Sequence, residues 1–277
     1  MGEQPADLAH PPRGQRVIVP GLIAVAAVAL YVWQDGIRKC FDGERYVSRK
    51  AQPSPFHRRF HYWPPQVLAV STWLSIVAIT SSFHSVGAAL MFATLPGVWF
   101  CAVNPTTVDM VSMSLAWGCS LLWPAHPYVA IALSLLSGVV HERGPVFAAV
   151  YTLSPWPLLG LLAVQWWAKR APVIVRNDSD RFVGTSFVSA VTAHRGARDL
   201  LGGDGLLWSL RGVSVAAAWL GTSRAGWSAF ALAATSRLVS TDAGRCMIWC
   251  APPMLAAMPE IPPWVVAAHV LTFRRQV

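Results

Sequence analysis

An all-α, polytopic transmembrane helical bundle is the fold class this chain predicts, and three observations carry the expectation. The chain is 54% hydrophobic and only 13% charged, whereas a soluble domain carries roughly 25% charged residues. Mean hydropathy is +0.44. Long apolar runs recur along the chain, many opening on Pro and several closing on Trp. A missing N–H costs nothing at the first helical position, and Trp belongs at a membrane–water boundary.

The elements follow in order. Residues 1–16 form an N-terminal tail rich in Pro, and Arg13 and Arg16 precede the first apolar run, Val17–Trp33. An uncleaved signal anchor with its N-terminus cytoplasmic is the simplest reading. The transmembrane domain then occupies 17–273, with a partly helical external loop at 34–63 and a short tail at 274–277. Further runs are Pro64–Thr80, His84–Val103, Val108–Trp123, Pro127–Val140 and Pro145–Ala168. After the polar interval Lys169–Asp204 come Gly205–Gly221, Gly226–Ser240, Cys246–Met258 and Pro262–Phe273. About eight to ten membrane helices result, several below the roughly 20 residues of a straight span and so re-entrant or interfacial.

Charge orients the bundle and excludes some functions. The formal net charge is +9, reached with nineteen Arg against three Lys. Placing Arg13 and Arg16 inside puts loop 34–63 outside, and the turn His141–Gly144 outside as well. The basic interval Lys169, Arg170, Arg176 and Arg181 then falls inside, as positive loops do. No basic stripe stands on a soluble surface, so nucleic acid is not an expected partner. Cys40, Cys101, Cys119, Cys246 and Cys250 form no CxxC pair and no His/Cys cluster, hence no metal site is predicted. No nucleotide loop, no serine elbow and no paired-histidine zinc motif occurs.

Acids, bases and aromatics concentrate between the first two runs, in Asp35–Trp63. There Asp42 and Glu44 sit just beyond the first span, beside Arg45 and Tyr46. A carboxylate at that depth can act as general base on an acceptor hydroxyl. His57, Arg58 and Arg59 lie where the second span begins, at the level of a lipid-linked phosphate that guanidinium groups bind bidentately. On residues alone an alternative stays open: Asp42 and Glu44 pair with Arg45 or Arg49, and the arginines snorkel to headgroups. Asp109 reads as a helix N-terminal cap, and His84, His126 and His269 as packed or interfacial.

The stretch FDGERYVSRKAQPSPFHRRFHYWPP resembles the first external loop of GT-C-type glycosyltransferases, polytopic enzymes that use polyprenyl-phosphate sugars. Asp42-Gly43-Glu44-Arg45-Tyr46 and Pro55-Phe56-His57-Arg58 sit where that family carries its acidic motif and its Pro-Phe-x-x-Arg run. Ser137–Arg143 resembles the turn closing a mid-chain helix, and Ser240–Arg245 a late Asp-x-x-Arg segment. The resemblance implies that Asp42, with Glu44 beside it, activates the acceptor in an enzyme of the cell envelope. It further implies that Arg45, Tyr46, His57, Arg58 and Arg59 meet the donor phosphate, and that His141, Glu142, Arg143, Asp242 and Arg245 line or brace the cavity. The implied partners are a polyprenyl-phosphate-linked sugar, mannosyl or another, a glycan, lipid or protein acceptor, and the lipids of the plasma (inner) membrane. A divalent metal on Asp42 or Glu44 is compatible with the class, and no ligand motif points to one. Two readings from other classes compete: a transporter or flippase, which would show broken helices and polar groups at mid-membrane, and a non-catalytic scaffold.

Overall fold

The computed structural model describes residues 65–103, 108–168, 223–237, 248–258 and 261–271. Within them the chain is helical, and no strand occurs among the described residues. The predicted runs Val17–Trp33 and Gly205–Gly221, the loop 34–63 and the interval Lys169–Asp204 lie outside the described residues.

Helix boundaries follow the punctuation of the sequence. Helix α1 is Pro65–Thr80 and begins at a proline. Helix α2, Val86–Ala93, starts after Ser85, whose hydroxyl accepts from the Ala88 N–H at 3.1 Å. Helix α3 is Pro96–Val103, and α4 is Asp109–Leu122. Helix α5, Pro127–Val140, has the bounds the sequence predicts, a proline at its start and an extended His141 (φ −154°, ψ 136°) at its end. Helix α6 is Arg143–Thr152, followed by a 3-10 turn at Trp156–Leu159 and by α7, Gly160–Ala168. Helix α8 is Arg224–Arg237, its first turn capped by the Ser223 hydroxyl, which accepts from Gly226 N–H at 3.2 Å. A 3-10 turn at Ile248–Cys250 leads into α9, Ala251–Ala256, and α10 is Pro263–Leu271.

Two predicted runs are interrupted, and proline is the physical reason in both. His84–Val103 divides because Pro96 cannot donate a backbone hydrogen bond and disfavours helical geometry at Leu95. Helix α2 therefore ends at Ala93, with the Thr94 N–H closing on Leu90 O at 3.0 Å. Pro145–Ala168 divides after Thr152, where Leu153 adopts a left-handed conformation (φ 50°, ψ 36°) ahead of Pro155. The same run starts two residues early, at Arg143, because a proline in the first helical turn lacks only an N–H that would find no partner there. Cys246–Met258 likewise shortens to a 3-10 turn and a helix of 6 residues. The longest described helix has 16 residues. Among the described residues no helix is long and apolar enough to cross a membrane.

The core is assembled around α4, which packs against α1, α5 and α6, while α5 packs in turn on α7. Helix α8 closes on α6, α9 and the 3-10 turn at Ile248–Cys250. Phe92, Met91, Met113, Phe147, Trp249 and Leu255 are among the fully buried side chains. Cys101, Cys119 and Cys250 are buried in that core, where a free thiol packs as a small hydrophobe.

Helix α5 buries small and polar residues and exposes several of its larger apolar ones. Its buried face is Ala130, Ser134, Ser137, Gly138 and Val140. Its exposed face holds Tyr128 at 86% and Leu136 at 54% exposure, with Val129 and Leu135 between them. Helix α1 buries Thr72, Ser75 and Thr80 together with Leu68, Ala69, Ile76 and Ile79, and exposes Val67, Val70 and Leu74.

Small residues let α4, α5, α6 and α7 approach closely. A β carbon on Gly138 would lie 2.5 Å from the Gly160 carbonyl oxygen, and one on Gly160 would lie 2.6 Å from the Ser134 carbonyl oxygen. Hydroxyls stitch the seam. Ser137 Oγ donates to Ser112 O at 2.8 Å, Ser112 Oγ donates to Ser137 O at 3.1 Å, and Ser134 Oγ donates to Pro157 O at 2.6 Å. Small residues and interhelical hydroxyls are how helices hold together where the surroundings are as apolar as the core.

Candidate acid–base site

The sequence around the α5–α6 junction dictates an abrupt turn. Helix α5 stops because His141 takes extended backbone geometry, and Gly144 N–H then closes a turn on His141 O at 3.0 Å. That geometry sends the imidazole inward, where its side chain is 7% exposed. Glu142, the next residue, keeps its side chain 49% exposed. Arg143 opens α6 and is half-buried.

Beneath His141 lies Asp109, fully buried in the first turn of α4. Asp109 does not cap that helix, as its sequence position suggests. The cap position belongs to Val108, which makes no side-chain cap bond. Val108 is held at φ 23° and ψ −1°, a conformation a β-branched residue rarely adopts. Such strain persists only where the surroundings over-determine it. A negative charge in the first turn of a helix is favoured by the helix dipole.

Three elements converge on that carboxylate. His141 Nε2 lies 3.7 Å from Asp109 Oδ1, within ion-pair reach and just beyond a hydrogen bond. The buried indole of Trp249 donates from Nε1 to the same oxygen at 3.4 Å. Trp249 is itself fixed, stacked on Phe147 with ring centroids 5.0 Å apart, and its carbonyl accepts from the Tyr151 hydroxyl. The imidazole of His141 and the Trp249 indole face one another at 6.1 Å.

On its outer side His141 has two neighbours that make opposite demands. The Arg143 backbone N–H donates to Nδ1 at 3.2 Å, which requires a bare ring nitrogen. Glu142 Oε2 stands 3.3 Å from the same Nδ1, which suits a protonated one. In the neutral ring Nδ1 accepts from Arg143, leaving the proton on Nε2, directed at Asp109. In the imidazolium both nitrogens donate, one to each carboxylate.

Of the residues singled out by sequence, the structure brings His141, Glu142 and Arg143 together at one junction. Asp42, Glu44, Arg45, Tyr46, His57, Arg58, Arg59, Asp242 and Arg245 lie outside the described residues. Asp109 and Trp249 join the site, although sequence reading left Asp109 to helix capping and gave Trp249 no role. One signal pointed to Asp109: a carboxylate at the head of an apolar run must find partners. Nothing local pointed to Trp249, 140 residues away along the chain from Asp109.

Comparison with known proteins found no matching family model, no matching curated protein and no matching solved structure.

Proposed function

We propose that the chain is a polytopic protein of the plasma (inner) membrane and, within that class, a glycosyltransferase that takes its sugar from a polyprenyl phosphate. Support for the membrane setting comes from the exposed Leu, Val and Tyr side chains on the outer faces of α1 and α5 and from the buried hydroxyls of Thr72, Ser75, Thr80, Ser134 and Ser137 on their inner faces. In lipid that distribution stabilises a bundle; in water it leaves the larger apolar groups wet. The single observation that carries the transferase reading is the His141–Arg143 turn. It groups an imidazole, a carboxylate and a guanidinium-bearing residue at one end of an apolar-faced bundle.

In this reading an acceptor hydroxyl attacks the anomeric carbon, forming a new C–O bond as the bond to phosphate oxygen breaks. Asp42 takes the hydroxyl proton. The electron pair leaves with the polyprenyl phosphate, whose charge Arg58 and Arg59 meet. Glu142 and Arg143 line or brace the same cavity.

The test uses membrane vesicles holding the full chain, a labelled polyprenyl-phosphate sugar and a hydroxyl acceptor. Asp42→Asn, at unchanged protein level, is expected to lower transfer by roughly 100-fold or more, the usual worth of a general base. Undiminished transfer by that variant, or no transfer by the parent, would overturn the reading.

A transporter of a lipid-linked or small anionic substrate is the second reading, favoured by two observations. The helices at Val86–Val103 and Arg143–Ala168 are interrupted. A buried carboxylate and imidazole also meet inside the bundle, as in coupled carriers. Uptake of labelled sugar phosphate by the same vesicles, without transfer to the acceptor, would decide for it.

A further inference from the structure

The geometry points to Asp109, His141 and Glu142 as a proton-binding site whose occupancy rearranges the start of α6. The inference stands on the cluster alone and does not depend on sugar transfer. One proton, taken from water at the half-exposed Glu142, adds to His141 Nδ1. The N–H bond forms as an O–H bond of a hydronium ion breaks, the pair stays on the departing water, and no oxidation state changes. Because Nδ1 then carries hydrogen, it can no longer accept from the Arg143 N–H, a bond now 3.2 Å long. That backbone N–H is released, and Nδ1–H turns to Glu142 Oε2 at 3.3 Å. On the inner side Nε2–H gains a full positive charge opposite Asp109 Oδ1, closing a separation now 3.7 Å. A buried imidazolium between two carboxylates is compensated on both faces, which an isolated one would not be.

The surroundings single out this cluster. Helix α1, packed on α4, carries no titratable side chain. The elements closest to the cluster contribute Arg143 and Tyr151 on α6, Tyr128 on α5, Cys101 on α3, Cys119 on α4, Cys250 beside Trp249, and Arg224 and Arg237 on α8. Among the described residues of these elements no third carboxylate occurs. Trp249 links the site to the rest of the core, since its N–H shares Asp109 Oδ1 with the imidazole and its carbonyl holds Tyr151.

The test reads two positions in one sample, the full chain in phosphatidylcholine vesicles. Hydrogen–deuterium exchange at the His141 imidazole C2 reports its protonation, and exchange of the Arg143 backbone amide reports the released bond, both by peptide mass spectrometry. Over a pH series the two are expected to respond over the same interval. After correction for intrinsic exchange, Arg143 should exchange about fivefold faster on the acid side, the factor that one ordinary net hydrogen bond supplies. In Glu142→Gln, a near-isosteric change at a half-exposed side chain whose folding is checked by exchange in the rest of the chain, the acid-side gain at Arg143 should be lost or at least halved. An Arg143 amide indifferent to the state of His141, or a full acid-side gain retained in Glu142→Gln, would overturn the proposal.

Discussion

Gly144 lies against Ser137 with no room for a side chain. A β carbon at 144 would overlap the Ser137 hydroxyl and come 2.5 Å from Ser112 Oγ. The contact joins the start of α6 to α5 and α4 directly beneath the acid–base junction. It also uses the two hydroxyls that bond α4 to α5 across Ser112 and Ser137. Gly144→Ala is therefore expected to destabilise the protein by about 2 kcal/mol, the usual cost of overpacking. Thermal unfolding of the purified chain measures it. Ser137→Ala alone should cost about 1 kcal/mol through its lost hydrogen bond. In the double variant the two penalties should add to less than their sum, because the first clash has been removed.

Trp249 holds Asp109 through one hydrogen bond and holds the core through its rings. Trp249→Phe separates the two contributions. Stacking on Phe147 survives in part, while Asp109 loses an N–H donor at 0% exposure. Loss of about 1–3 kcal/mol is expected, the cost of leaving a buried acceptor short of a donor. If the bond matters to the charge on Asp109, Trp249→Phe combined with Asp109→Asn should be less destabilised than the two single losses together. Denaturant midpoints of the four proteins check it.

Leu153 sits in the left-handed region at the end of α6, with its side chain 58% exposed. A left-handed conformation costs a non-glycine residue roughly 1–2 kcal/mol. Glycine is the ordinary occupant of that position after a helix. Leu153→Gly should therefore leave stability unchanged or raise it by up to about 1 kcal/mol, read as a higher unfolding midpoint. Leu153→Val, which is β-branched, should lower it.

Leu136 projects from the outward face of α5. In a membrane, Leu136→Arg is expected to cost about 2.5–3.5 kcal/mol, the insertion penalty of an arginine near a helix centre. In water the same change at an exposed site should stay within about 0.5 kcal/mol. Membrane insertion of the variant in microsomes or vesicles distinguishes the two, and full insertion would count against the membrane reading of α5.

Much of the helical order was legible in the sequence because proline, serine and the apolar runs act locally. Pro127 and the bare end at His141 set α5 to the residue. The interruptions at Pro96 and Pro155 were equally local, yet reading by hydropathy alone passes over them, since Leu95 and Leu153 are as apolar as their neighbours. A proline inside an apolar run should be weighted as a boundary whatever the hydropathy around it. The candidate site was legible in part. His141, Glu142 and Arg143 announced themselves as a polar turn between two apolar helices. Asp109 did not, because a carboxylate before a helix has a sufficient local explanation as a cap.

What the sequence by itself determined is the helical character of the described residues, the apolar composition and several of the helix starts, such as Pro127, since these depend on side-chain chemistry and on neighbours a few residues away. What only the tertiary structure decided is which faces are covered and which distant groups meet. Ser112 and Ser137 are 25 residues apart and Asp109 and Trp249 are 140 apart, and both pairs bond in the folded chain. The reason is physical. Helix periodicity states which side chains share a face, whereas the partner of that face is chosen by packing. In this bundle the close approach allowed by Gly138, Gly144 and Gly160 makes that choice.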